Sequence, residues 1–130
     1  MINKFHYCCL SILFTLIQTS CTHVVEKNVP QIKFQADNYD FGDVKHEGEV
    51  SCTFVYENTG MAPLVIDHVS SSCGCTTTDW SDSPLLPGER QSLKVHFDAA
   101  EPGPFRKTIV VYSNSNTMGS TILHIKGNVN

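Results

Sequence analysis

The chain has 130 residues, of which 41% are apolar and 17% are charged. This composition fits one compact domain and excludes a disordered tail. The 13 acidic and 9 basic side chains give a formal charge of -4, and no run of Lys or Arg occurs. The sequence therefore holds nothing that neutralises a phosphate backbone or binds an anionic membrane surface, so nucleic acid is not an expected partner.

The N-terminus has the pattern of a secretory signal. Lys4 precedes an apolar stretch at residues 5–17. Because a membrane-spanning helix needs about 20 apolar residues, this stretch is too short to span a bilayer. We predict a signal peptide at residues 1–20, whose removal takes Cys8 and Cys9 out of the mature protein.

The residues around Cys21 are similar to the lipobox of bacterial lipoproteins, in which the cysteine becomes the lipid-bearing first residue. Thr19 and Ser20 supply the small residues before it, whereas Gln18 replaces the usual Leu. We expect lipidation of Cys21, and simple cleavage with secretion is the alternative. Residues 21–31 show little periodicity and are expected to form a tether. The expected location is the bacterial cell envelope, where the lipid anchors the protein to a membrane and the domain faces the periplasm or the cell surface.

The remaining residues, 32–130, are expected to form the domain. Almost every segment there alternates apolar and polar residues, and none keeps a helical spacing over three turns. Gly and Pro mark the turns between the segments. The predicted strands lie at residues 32–37, 50–56, 64–69, 92–98, 105–112 and 121–129, and residues 41–44 follow the first strand with a turn at Gly42. About seven short strands in a chain of this length predict an all-β fold, a two-sheet β-sandwich.

Several short motifs follow one another in a fixed order along this domain. They are Asp40-Phe41-Gly42-Asp43, Phe54 with Asn58-Thr59-Gly60, Pro63-Leu64-Val65-Ile66, Ser72-Cys73-Gly74-Cys75-Thr76, Pro87-Gly88-Glu89, Gly103-Pro104-Phe105-Arg106-Lys107, Ser113-Asn114 and Leu123 to Val129. Together they resemble the bacterial family called domain of unknown function 1573. The resemblance implies an immunoglobulin-like sandwich, similar to PapD-type and major-sperm-protein-type domains, usually on exported proteins and without an established activity. The chain departs from the family at Cys52, where members often have His.

Cys73 and Cys75 form the densest group of reactive side chains, and several interpretations stay open. Outside the cytoplasm they are expected to be oxidised, either to each other or with one of them bonded to Cys52. Two soft thiolates also suit Cu(I) or Zn(II), with Cys52 as a third ligand. A redox-active pair is a further interpretation, although the CxxC spacing is missing. Burial of reduced thiols completes the alternatives.

Cys52 decides between these interpretations. A bond between Cys73 and Cys75 closes so small a ring that it is expected to be strained, reducible and of little value for stability. A bond to Cys52 would close a loop of about 20 residues and stabilise the fold by about 3 kcal/mol. We expect a local site at a strand end with a structural or redox-passive role, not a catalytic one.

A few other side chains are candidates for function. Trp80 is either an aromatic that covers one end of the sandwich or an anchor for a binding partner. His96 and His124 alternate with apolar neighbours and are expected to face solvent. Asp79 and Asp82 are expected to be scattered singly in loops.

No hydrolase elbow, nucleotide-binding loop or calcium-binding ladder occurs in the sequence. The expected function is therefore that of an exported, lipid-anchored, non-enzymatic domain that binds or scaffolds an envelope protein and needs no cofactor. The alternative is a copper, zinc or thiol-redox protein that uses Cys73 and Cys75 with Cys52.

Overall fold

The computed structural model describes residues 28–115 and 119–130. Within these ranges the chain forms eight strands and no helix, so the predicted all-β fold is confirmed. Accordingly, none of the described residues belongs to a helix that could cross a membrane. The predicted signal peptide, Cys21 and the first part of the tether lie outside the described residues.

The strands form a two-layer sandwich. In chain order they are β1 (Ile32–Phe34), β2 (Asn38–Val44), β3 (Glu49–Asn58), β4 (Ile66–Ser71), β5 (Thr76–Asp79), β6 (Arg90–Asp98), β7 (Gly103–Ser113) and β8 (Ser120–Val129). One four-stranded sheet has the order β1-β3-β6-β5, and the other has the order β2-β8-β7-β4. Neighbouring strands are antiparallel, except that β2 runs parallel to β8.

The core lies between the two sheets and consists of the alternate residues that the period-two pattern predicts. On β6, for example, Leu93, Val95 and Phe97 point inward and are almost fully buried. The facing sheet contributes Ile109, Val111, Leu123 and Ile125, all of them fully buried. Burial of each such side chain stabilises the fold by roughly 1.5 to 3 kcal/mol.

The sequence indicated a turn at Gly42 where the structure has the strand β2, and it showed no sign of the strand β5. The residues of β5 read Thr-Thr-Thr-Asp, so no apolar alternation marks it. It is a strand because its backbone pairs with β6, where Thr76 lies opposite Phe97 and Asp79 lies opposite Lys94. Tertiary pairing, and not local composition, determines this element.

The chain passes from one sheet to the other at both open sides of the sandwich. On one side β1 leads into β2, and on the other β4 leads into β5. All four are edge strands, so each passage joins the edge of one sheet to the edge of the other. The candidate site lies at the second passage.

Asn58 fixes the beginning of the domain. It is fully buried, and its Nδ2 donates hydrogen bonds to the carbonyl oxygens of Ala62 and Leu85, each at 2.8 Å. Its Oδ1 accepts from the backbone N–H of Gly60 at 3.0 Å and of Gln31 at 3.4 Å. One side chain thus satisfies four backbone groups, and it holds the end of the predicted tether against the domain.

Candidate functional site

The passage from β4 to β5 is a turn of residues 72–75, called here the cystine turn. Cys73 and Cys75 are joined by a disulfide, with 2.01 Å between the Sγ atoms and 5.3 Å between the Cα atoms. The sequence left open whether Cys73 and Cys75 bond to each other or one of them bonds to Cys52. The structure contains the bond between Cys73 and Cys75. The two cysteines lie in the turn between the end of β4 and the start of β5, which belong to different sheets.

Hydrogen bonds hold the cystine turn independently of its disulfide. Ser71 Oγ lies 2.9 Å from the carbonyl oxygen of Cys73 and 2.8 Å from that of Thr76, so it spans the turn. The backbone N–H of Asp98 donates to the carbonyl oxygen of Cys75 at 2.9 Å. These contacts fix both ends of the turn, one within the turn itself and one against β6.

A second pair of bonds ties the turn to β7. The N–H of Ser72 donates to the carbonyl oxygen of Thr108 at 2.9 Å, and the N–H of Thr108 donates to Ser72 Oγ at 3.0 Å. The glycine between the cysteines contributes little to this arrangement. Gly74 has no positive φ, and a Cβ placed on it would meet no atom within 4 Å.

The sulfur atoms lie beside one buried hydroxyl. Thr76 Oγ1 is 3.6 Å from Cys73 Sγ and 4.0 Å from Cys75 Sγ, and Thr76 is only 3% exposed. Both cysteines are half-buried. Cys75 also borders two clefts, one lined by the carboxylates of Glu47, Glu49 and Asp98 and the other by apolar side chains such as Phe105. The disulfide is therefore accessible from outside although its neighbour Thr76 is not.

Cys52 takes no part in this site. It lies on β3 opposite Val95, is 6% exposed and remains a free thiol in the core. Burial raises the pKa of the Cys52 thiol to about 11, because a thiolate would lose its hydration there. In the described ranges no group of three or more His, Cys, Asp or Glu side chains is placed to hold a metal ion.

A groove of about 430 Å³ opens at the same side of the sandwich, between β4 and β5. We call it the Trp80 groove, and its lining residues are Asp67, Thr78, Asp79, Trp80 and Asp82. The indole is 37% exposed, so Trp80 covers the groove wall without being buried in the core. Asp79 and Asp82 were predicted to be scattered singly, and this is wrong: the fold brings them together with Asp67.

His96 corrects a second prediction. Its place on the outward face of β6 is as predicted, but the side chain is only 23% exposed. His96 Nε2 lies 2.9 Å from Asp79 Oδ2, and Nδ1 lies 3.2 Å from Glu49 Oε1. His124 is likewise half-buried, with Nδ1 at 3.3 Å from Thr108 Oγ1. The carboxylates beside His96 are exposed, so this pairing orients Asp79 at the groove and adds little stability.

These contacts could not be read from the sequence because they depend on β5. Once β5 pairs with β6, Thr77 lies opposite His96, and the Asp79 carboxylate comes within reach of the imidazole. The three carboxylates of the groove come from β4, β5 and the loop after β5. The only available signal was the Cys-Gly-Cys-Thr motif, which lies in the chain between Asp67 and the other two carboxylates.

The chain matches a known protein family. Residues 32–129 match the model of a family described as a protein of unknown function, DUF1573. The chain belongs to this family. The resemblance inferred from the short motifs is thereby confirmed at the level of the family. No curated protein matches the chain.

Solved structures share the fold at low sequence identity. A protein of unknown function from Porphyromonas gingivalis W83 has a TM-score of 0.70 at 15% identity, over 79% of this chain and 48% of that one. The chain thus spans about half the length of that protein. The PapD-like domain 7 of human CEP192 has a TM-score of 0.66 at 10% identity, over 79% and 87% of the two chains.

A third match is the VesB protease of Vibrio cholerae, with a TM-score of 0.59 at 17% identity, over 77% of this chain and 32% of the protease chain. At such identities the likeness shows the fold and nothing of the activity. Together with the PapD-like match, it confirms the immunoglobulin-like sandwich that the family resemblance implied.

Proposed function

We propose that the protein is an exported, lipid-anchored, non-enzymatic domain that binds an extended, basic segment of another envelope protein in the Trp80 groove. The observation that carries the proposal is the free edge of β5 beside an exposed tryptophan. Cys21 and the signal-like segment before it support export and lipid anchoring. The groove supports the binding of a partner segment.

The edge of β5 can accept a further strand. β5 pairs with β6 along one edge, and no described strand pairs along the other. Such an edge presents unpaired backbone N–H and C=O groups, which are a template for an extended peptide. Main-chain pairing of this kind supplies affinity, while side chains around the edge supply specificity.

The side chains around the edge select a basic partner. Asp67, Asp79 and Asp82 supply three carboxylates, and no Lys or Arg lines the groove. An exposed indole binds the face of a Lys or Arg side chain by cation–π attraction, and tryptophan is among the commonest anchors of protein interfaces. The complementary occupant is therefore an extended segment with Lys or Arg facing the indole.

Binding can be followed through one fluorophore, because Trp80 is the single tryptophan of the chain. The probes are a short peptide that alternates Thr with Lys and a matched peptide that alternates Thr with Glu. We expect the Lys peptide to change the Trp80 emission, with an affinity that falls as salt rises, and the Glu peptide to have no effect. Equal binding of both peptides would contradict the proposal.

Variants locate the interaction. Trp80→Ala is expected to weaken the Lys peptide by about tenfold or more, as measured by calorimetry. Ile122→Ala is the matched control, because Ile122 is an exposed apolar residue on β8 in the other sheet. Asp82→Asn should reduce both the affinity and its salt dependence. A loss with Ile122→Ala as large as that with Trp80→Ala would exclude the groove.

The lipid anchor has its own test. Cys21→Ser should move the protein from the detergent phase to the aqueous phase in detergent partitioning, because the serine cannot carry the lipid. Retention in the detergent phase would refute lipidation and leave the peptide-binding proposal intact.

A further inference from the structure

The disulfide of the cystine turn contributes little to holding that turn. The bonded cysteines are separated by only two positions, so the bond restricts the unfolded chain weakly. The bonds made by Ser71, Ser72 and the Asp98 backbone fix the turn whether or not the sulfurs are joined. The disulfide can therefore open while the sandwich stays folded.

The disulfide is also open to attack from outside. Cys75 forms part of the wall of two clefts, of about 330 and 430 Å³, on two sides of the turn. A small thiol that enters either cleft comes next to Cys75. Cys73 borders neither cleft, so the two sulfurs differ in access.

Cys73 Sγ has a hydrogen-bonding partner that can stabilise it as a leaving thiolate. Thr76 Oγ1 is nearer to Cys73 Sγ, at 3.6 Å, than to Cys75 Sγ, at 4.0 Å. The Thr76 hydroxyl is shielded from water and lies within 4.0 Å of both sulfurs. A hydroxyl that donates to a charged sulfur stabilises it, and a stabilised leaving thiolate departs faster.

From this geometry we infer that Cys73–Cys75 is a thiol–disulfide exchange site that oxidises an external dithiol. One thiolate of the dithiol attacks Cys75 Sγ and forms a mixed disulfide, while the Cys73–Cys75 bond breaks and its electron pair leaves on Cys73 Sγ. Cys73 takes up a proton. The second thiolate of the dithiol then attacks the mixed disulfide and releases Cys75, so that the dithiol becomes a disulfide and the protein holds two thiols.

The core thiol does not interfere with this exchange. Cys52 is buried and stays protonated at neutral pH, since burial raises its pKa to about 11. A protonated, inaccessible thiol is not a nucleophile. The inference is independent of the Trp80 groove.

The test uses the full-length exported protein, purified in detergent and kept folded. Mixtures of reduced and oxidised glutathione set the redox poise, free thiols are alkylated, and mass mapping locates the label. We expect Cys73 and Cys75 to be labelled together while Cys52 stays unlabelled and the Trp80 emission is unchanged. A disulfide that resists reduced glutathione until denaturant also exposes Cys52 would overturn the inference.

Two sets of variants test the direction of the exchange. Thr76→Val should slow reduction by dithiothreitol by about tenfold, because the leaving thiolate loses its hydrogen bond. Thr121→Val is the matched control, because Thr121 lies on β8 in the other sheet, and it should leave the rate unchanged. Cys73→Ser should form a mixed disulfide with glutathione at Cys75 more readily than Cys75→Ser does at Cys73. Equal rates for both threonine variants, or the opposite cysteine preference, would refute the roles assigned to Thr76 and Cys75.

Discussion

On one side of the sandwich the chain passes from β1 to β2 through residues 35–37, and backbone bonds hold this passage to both sheets. The N–H of Gln35 donates to the carbonyl oxygen of Val55 at 2.9 Å. The N–H of His124 donates to the carbonyl oxygen of Asp37 at 2.8 Å. Each sheet contributes one partner, so the passage is part of the hydrogen-bonded framework.

On the other side the chain passes from β4 to β5 through the cystine turn, and side-chain contacts contribute to holding this turn. Ser71 and Ser72 supply hydroxyl contacts, Thr76 lies beneath the sulfurs, and the cysteines add a covalent bond. The exposed indole and two of the three carboxylates of the Trp80 groove follow this passage in the chain.

The difference separates a scaffold from a working face. Backbone bonds form whichever side chains a passage carries, and both passages have such bonds to the two sheets. In the cystine turn the side-chain contacts and the disulfide are additional to them, so the disulfide can open without disturbing either sheet. Both proposals made above concern the second passage.

The largest effect is expected at Asn58 on β3, which pairs with the start of β1. Asn58→Ala leaves four backbone groups without their partner and should lower the free energy of unfolding by about 3 to 5 kcal/mol. Asn114→Ala is the control, because Asn114 also bonds two backbone groups, those of Val65 and Pro63, but is exposed. It should cost about 1 kcal/mol. Urea unfolding measures both, and equal losses would break the comparison.

Two glycines give the next effect. A Cβ on Gly60 would lie 2.3 Å from the carbonyl oxygen of Val29 and 2.4 Å from the N of Gln31, so the backbone must move. Gly60→Ala should therefore cost about 3 kcal/mol. Gly74→Ala, in open space between the cysteines, should change stability by less than about 0.5 kcal/mol. Comparable melting temperatures for the two variants would contradict the assignment of scaffold and working face.

Alkaline pH tests whether Cys52 belongs to the core and to neither passage. The unfolded thiol loses its proton near pH 9, whereas the folded thiol keeps it up to about pH 11. The folded state therefore binds more protons in this interval, and stability falls as pH rises. The loss should reach about 2 kcal/mol near pH 11. Cys52→Ala should remove that part of the pH dependence, and the part caused by the raised pKa of Tyr56 should remain.

The smallest effect is expected from the disulfide itself. A double variant, Cys73→Ser with Cys75→Ser, should lose less than about 2 kcal/mol, because the closed loop is very short. Its circular dichroism spectrum should be unchanged. A loss as large as that of Asn58→Ala would show that the disulfide is part of the scaffold.

The sequence was sufficient for the elements whose signal is local. The alternating residues of β3 and β6 predicted both strands and their buried faces, because one face of each strand packs on the core. The sequence was insufficient where pairing between strands determines the structure. The polar strand β5 has no period-two signal, and the position of Asp79 beside His96 follows from β5.

The cysteines show the same limit. Spacing alone kept the bonds between Cys52, Cys73 and Cys75 open, because a disulfide depends on the distance between Cα atoms. Cys52 shares its alternation along β3 with the buried Phe54 and Tyr56, and the structure places that thiol in the core. Which cysteines bond depends on which of them are close in space, and no local sequence pattern gives that information.

The length of β3 has a consequence for reach. The N-terminal segment joins the domain at the Asn58 end of β3, where Val29 and Gln31 accept backbone bonds. The cystine turn bonds to Asp98, which lies opposite Glu49 at the other end of β3. Ten residues at about 3.3 Å per residue separate these ends by roughly 30 Å. A surface that holds the chain by its N-terminus is thus next to the Asn58 end of the domain. The disulfide lies at the opposite end.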